Sequence, residues 1–95
     1  MLPLHSRVER YPDVRVRPED EGRYLLYNPR SDALHILEAT EAKIFGLCDG
    51  RSISRLISEV TTDVAAARGI AADSVAGEII GFLDQLRQRD LVRLY

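Results

Sequence analysis

The stretch Ala33-Leu34-His35-Ile36-Leu37-Glu38-Ala39-Thr40-Glu41-Ala42-Lys43-Ile44-Phe45-Gly46-Leu47-Cys48 changes its hydrophobic period part-way along, and that change decides the fold class. Ala33 to Leu37 is short, uncharged and bounded by a turn, which reads as a strand. After Leu37 the period is helical: Ile44, Leu47 and Cys48 fall at i, i+3 and i+4. Thr40 is placed to cap this helix, and Glu41 in its first turn suits the helix dipole. Asp49-Gly50 then supplies a left-handed stop.

Working back toward the N-terminus, Asn28-Pro29-Arg30-Ser31-Asp32 is a strong turn, because Asn and Asp bond their own backbone and Pro presets φ. Arg23-Tyr24-Leu25-Leu26-Tyr27 before it has the aromatic content of a strand. Pro18 and the charged run Glu19-Asp20-Glu21-Gly22 form another turn. Asp13-Val14-Arg15-Val16-Arg17 alternates apolar and polar residues, the period of a half-buried strand. These three strands make an antiparallel meander. Residues 1–9 hold a proline and no periodic pattern, so a flexible arm is expected there, with residues 10–95 as one domain.

Working forward, Ser52 can cap a second helix whose Ile53, Leu56, Ile57 and Val60 share a face. Thr61 to Ala72, with its small residues and Gly69, reads as a frayed helix end and a linker. Asp73 can cap a third helix carrying the cleanest apolar stripe, Val75, Ile79, Phe82, Leu83 and Leu86. Leu91 to Tyr95 reads as a short strand or a tail folded on the core. Strands followed by helices imply an α+β domain: a three-stranded antiparallel sheet, then three helices.

The composition excludes several function classes. With 95 residues, 45% hydrophobic and 29% charged, the chain fits one ordinary globular domain. It has no apolar run approaching the ~18 residues of a membrane span. Met1-Leu2-Pro3-Leu4-His5 lacks the flank and apolar stretch of a signal peptide, and Cys48 has no second cysteine to pair with, so a cytoplasmic location is expected. Thirteen basic residues against fifteen acidic ones leave a net charge of −2, which argues against a nucleic-acid partner.

Catalysis needs convergent groups, and few are present. His5 and His35 are the two histidines, and Cys48 sits on an apolar helix face where an inert buried thiol is the usual case. These three residues are at unrelated spacings, which makes a poor metal site. No phosphate-binding glycine loop or dinucleotide fingerprint occurs. The chain is therefore read as non-catalytic, without cofactor or metal.

Two features remain as candidates for binding. The third strand, Ala33 to Leu37, has neither the charge nor the proline that usually blunts a sheet edge. Either another segment, such as the C-terminal tail, covers it, or an extended peptide adds to it. The third helix carries Gly77 and Gly81 on its outer face, and its apolar stripe is flanked by Glu78, Gln85 and Arg89 on one side and Ala76, Ile80 and Arg87 on the other.

The order Leu37-Glu38, Thr40, Ile44, Leu47, Asp49-Gly50, Ser52 and Ile57 resembles the PqqD-like family, as do Tyr24 to Pro29 before it and Phe82-Leu83, Leu86 and Leu91-Val92 after it. The resemblance spans about Val14 to Val92. It departs from the pattern at Glu38, where Asn is common, and at Asp90, where Gly often precedes the final Leu-Val. The resemblance implies a winged-helix-like recognition element for ribosomally made, post-translationally modified peptides. A precursor's leader would lie against the third strand in a cleft walled by the third helix, and would be delivered to a modifying enzyme such as a radical SAM protein. Carried onto this chain, the peptide-binding residues are Leu34, His35, Ile36 and Leu37 on the strand and Glu78, Phe82, Gln85 and Arg89 on the helix. The flank with Ile80 is the alternative wall. A winged-helix DNA-binding regulator is the competing function, but the third helix sets two arginines, Arg87 and Arg89, against four carboxylates. A bare edge also serves homodimers, which stay open.

Overall fold

The period change at Leu37 is a change of element in the computed structural model, which describes residues 3–69 and 71–95. In chain order the elements are β1 (Arg7–Arg10), β2 (Arg15–Pro18), β3 (Tyr24–Asn28), β4 (Ala33–Leu37), α1 (Ala39–Gly46), β5 (Asp49–Ser52), α2 (Ile53–Arg68), α3 (Ala72–Gln88) and β6 (Val92–Leu94). The α+β class holds, with the expected meander in the order β2-β3-β4. Its connections are local. The Asn28 Oδ1 accepts the Arg30 N–H at 3.0 Å, the turn that Asn28-Pro29 announces.

A second sheet was not legible in the sequence. The strands β5, β1 and β6 form a separate three-stranded antiparallel sheet with β1 in the middle. The reading of residues 1–9 as a flexible arm is thus corrected for Arg7 to Glu9; residues 1 and 2 lie outside the described residues. Val8 is fully buried in the core. Just before it, the Ser6 and Leu4 carbonyls accept the Ile53 and Ser54 amides at 2.9 and 3.1 Å, which ties this segment to the start of α2. A four-residue strand has too few positions for its alternation to stand out, and Arg7 and Glu9 mask the one buried valine.

The helix ends differ from expectation in ways that have local causes. α1 starts two residues early, at Ala39, because the Glu38 N–H donates to the Glu41 carboxylate (2.9 Å) and Glu38 takes the N-cap position instead of Thr40. Ser52 does cap α2, its Oγ accepting the Arg55 N–H at 3.2 Å. That helix continues to Arg68 and stops at Gly69, whose φ of 65° is left-handed, so most of the expected frayed linker is helix; Ile70 lies outside the described residues. α3 begins after Ala71 with no side-chain cap, leaving Asp73 in its first turn. At its other end Asp90 has φ 60°, a conformation glycine takes without strain. That is the physical sense of a Gly preference at this position.

The core lies where α1, α2 and α3 meet the inner face of the meander and the buried side of β1. Leu26, Leu37, Ile53, Leu56, Leu83, Leu86 and Leu91 are its largest fully buried members. Among the described residues, one polar residue is buried with them. Asn28 donates through Nδ2 to the Arg89 and Asp90 carbonyls at 3.2 and 3.1 Å, fastening the end of α3 to the β3–β4 hairpin. Replacing it leaves two carbonyls at a helix terminus without that donor. Asn28→Ala is expected to lower the unfolding free energy by about 1–3 kcal/mol in urea titration.

Candidate functional site

The hydrogen-bond phase of the meander determines which backbone groups are free. The Glu19 N–H donates to the Arg23 carbonyl at 2.8 Å, which makes this closing pair a bonded one. Bonded and non-bonded pairs alternate along an antiparallel ladder. Arg17–Leu25 and Arg15–Tyr27 are therefore bonded, and Leu25 and Tyr27 turn their amides and carbonyls toward β2. Tyr24, Leu26 and Asn28 turn theirs toward β4, where they face Leu37, His35 and Ala33. The N–H and C=O groups of Leu34 and Ile36 consequently point out of the sheet. Among the described residues no strand pairs with that edge: β6, the C-terminal tail, pairs with β1 instead.

The two edges of this sheet are built differently. The β2 edge carries Arg15, Arg17 and Pro18, the charge and proline that discourage strand addition. Pro18 occupies a non-bonded position, so its missing N–H costs no ladder bond. The β4 edge has no such protection.

Side chains along β4 divide between two faces. His35 and Leu37 share the inner face with Leu26, and Leu37 is part of the core. Leu34 and Ile36 stand on the outer face with Leu25 and Tyr27, 62% and 65% exposed. The residues grouped from sequence as one strand wall are thus split. Only His35 and Leu37 face the helices, whereas Leu34 and Ile36 contribute edge backbone and an apolar outer surface.

On the helix, Glu78, Phe82, Gln85 and Arg89 recur at helical spacing along one face. Glu78 and Phe82 line a cleft of about 210 Å³ together with Thr40, Glu41, Ile44, Val75 and Ile79. Gln85 is exposed beyond it. Arg89 lies at the far end, beside the start of β4, held there by the Asn28 bond to its carbonyl. Its charge acts on His35, whose pKa is pushed down by burial first and by Arg89 second. The His35 Nε2 is covered from solvent and has no hydrogen-bond partner among the described residues. The other flank is occupied: Ile80 packs against the core and Arg87 pairs with Asp84 at 2.6 Å.

The contribution of α1 to the cleft, through Thr40, Glu41 and Ile44, was missed from sequence. Ile44 was assigned to the core, and nothing in a helical period says that a core residue also floors a cleft. A larger depression of about 560 Å³ lies across α1, between the β2 edge and residues 10–12. Its basic groups are already engaged, Arg10 with the Phe45 and Gly46 carbonyls and Lys43 with Asp63. The β4–α3 region is therefore the better candidate for binding a peptide backbone.

Cys48 does not belong to it. Burial raises its thiol pKa to about 12, far above the range of reactive cysteines. In the native protein at pH 8, Cys48 is expected to resist iodoacetamide and to label fully in urea; rapid native labelling would contradict the burial. Because the folded pKa exceeds the ordinary value of 9.0, this thiol favours folding at neutral pH, and that contribution is lost as pH rises from 9 toward 12.

The model of the family described as Coenzyme PQQ synthesis protein D (PqqD) matches residues 23–92. The chain belongs to the PqqD family. The match takes in β3, β4, all three helices and the start of β6, so the whole candidate site falls within the family region. Among solved structures this PqqD-family chain is similar to "TbiB1 in Complex with the TbiA(beta) Leader Peptide", with a TM-score of 0.72 at 17% identity over 90% of this chain and 94% of that one. The likeness establishes a shared fold. No curated protein matches the chain.

Proposed function

We propose that this PqqD-family protein is a non-catalytic adaptor that binds the leader of a ribosomally made precursor peptide and presents it to a modifying enzyme. The observation that carries the reading is the set of outward N–H and C=O groups of Leu34 and Ile36 on an uncharged, uncovered edge beside α3. An extended peptide completes those hydrogen bonds and makes β4 an interior strand. The peptide-binding residues are Leu34 and Ile36 through their backbone, His35 and Leu37 beneath the added strand, and Glu78, Phe82, Gln85 and Arg89 along the helix wall. The complex of the structurally similar TbiB1 with a leader peptide supports the same use of the fold.

The guest's alternate side chains would extend the apolar outer face of Leu25, Tyr27, Leu34 and Ile36. A radical SAM protein, or another peptide-modifying enzyme, would then act on a strand held at its edge. We place the adaptor in the cytoplasm, where its single thiol stays reduced. A homodimer through β4 would compete with the guest for the same amides.

Calorimetric titration with the leader of a short precursor encoded beside this gene tests the reading. The expected result is 1:1 binding without metal, with NMR shifts concentrated at the Leu34 and Ile36 amides. Binding that leaves those two amides unmoved would place the guest elsewhere.

A further inference from the structure

The arginines on this surface are nearly all accounted for. Arg17, Arg23, Arg30, Arg51, Arg55, Arg87 and Arg93 pair with carboxylates, as does Lys43. Arg7 and Arg10 donate to backbone carbonyls. Among the described arginine and lysine side chains, Arg15 and Arg89 are left with neither an ion pair nor a hydrogen bond. Arg15 stands on the protected β2 edge. Arg89 stands beside the bare one.

Its position is fixed by the fold. The Arg89 carbonyl takes the Asn28 Nδ2 at 3.2 Å, and Asn28 faces Ala33 across the hairpin, so the end of α3 is fastened at the Asn28–Ala33 end of the hairpin. His35 follows two residues along the same inner face, with its Nε2 unpartnered. The nearby carboxylates do not neutralise Arg89: Asp90 is held by Arg30, and Asp84 by Arg87 and Gln88. At the opposite end, past Leu37, lies the cleft that includes Ile44, Ile79 and Phe82. One end therefore carries an unpaired cation, and the other a hollow whose apolar lining is Ile44, Val75, Ile79 and Phe82, with Thr40, Glu41 and Glu78 beside them.

We propose that the groove selects a leader bearing one Asp or Glu side chain at the His35–Arg89 end and one apolar side chain at the Ile44–Ile79–Phe82 end. The inference rests on strand addition at β4 and specifies the guest's chemistry. Side chains on one face of a strand recur every second residue, so the acidic and apolar positions stand two or four residues apart. In an unmodified peptide the anionic groups are the carboxylates of Asp, Glu and the C-terminus. A carboxylate meeting Arg89 under an added strand loses much of its water, so the pair is worth more than an exposed one.

The test is selection of random twelve-residue displayed peptides on the full chain, followed by affinity measurement of the winners against wild type, Arg89→Gln and Arg15→Gln. The expected winners shift the Leu34 and Ile36 amides and carry an acidic residue at the stated spacing from an apolar one. Changing that acid to its amide should weaken binding to wild type about tenfold, and Arg89→Gln should erase the difference. Arg15→Gln should behave as wild type. Winners that shift those amides but show no acidic preference, or whose affinity Arg89→Gln leaves unchanged, overturn the proposal while strand addition stands. Failure to obtain any peptide that shifts those amides overturns both.

Discussion

Ile36→Pro is expected to abolish leader binding while leaving the protein folded. The ladder phase makes this a clean substitution. The Ile36 N–H points out of the sheet, so proline there removes no bond between β3 and β4. Its side chain is 65% exposed on the outer face, so the core is not disturbed. What disappears is an amide donor in the middle of the free edge, and the ring fills the space that the guest backbone must enter. One hydrogen bond is worth about 0.5–1.5 kcal/mol net, and the blocked approach removes its neighbours as well. We therefore expect at least about a hundredfold loss of affinity, roughly 2.7 kcal/mol. The matching control is His35→Pro, which deletes a bond to Leu26 and is expected to unfold the hairpin. Calorimetry gives the affinity and circular dichroism the fold; a folded Ile36→Pro variant with wild-type affinity removes strand addition from the account.

The uncharged run from Ala33 to Leu37 made the edge legible in the sequence, because charge and proline are what a protected edge displays. Its boundaries match β4. The direction of each amide was not legible. It depends on the closing bond between Glu19 and Arg23, and a period of two says which face a side chain takes without saying which edge a backbone group takes. The division of Leu34, His35, Ile36 and Leu37 between two faces follows from the same period, since contiguous residues in a strand never share a face. On α3 the stripe of Glu78, Phe82, Gln85 and Arg89 could be read from spacing alone. The pairing state of Arg89 could not, because it depends on where the other carboxylates and arginines fall in three dimensions: Asp90, its sequence neighbour, is taken by Arg30 from the hairpin.

Val8→Asp is expected to remove most of the stability of the fold. On a loosely docked arm such a change would stay within about 0.5 kcal/mol. Val8 is instead fully buried on the central strand of a sheet, between β5 and β6, and belongs to the core cluster. An aspartate there has no cation among its neighbours in that cluster, and an uncompensated buried charge costs about 3–5 kcal/mol. Domains of this size have about 5–15 kcal/mol in total. The cost also spreads beyond one side chain. The β1 strand holds β6, which follows directly from α3, and β5, which leads directly into α2, so its displacement loosens the supports of two helices together. Val8→Ala, which leaves a small void without a charge, should cost about 1–3 kcal/mol. Urea unfolding followed by circular dichroism separates the cases: a large drop in midpoint for Val8→Asp and a smaller one for Val8→Ala are expected, whereas an unchanged midpoint for both would return this segment to the status of an arm. Because Asn28 ties the end of α3 to the β3–β4 hairpin, loss of the β1 sheet should also disorder the wall that Arg89 presents, so Val8→Asp is expected to lose leader binding despite lying outside the groove.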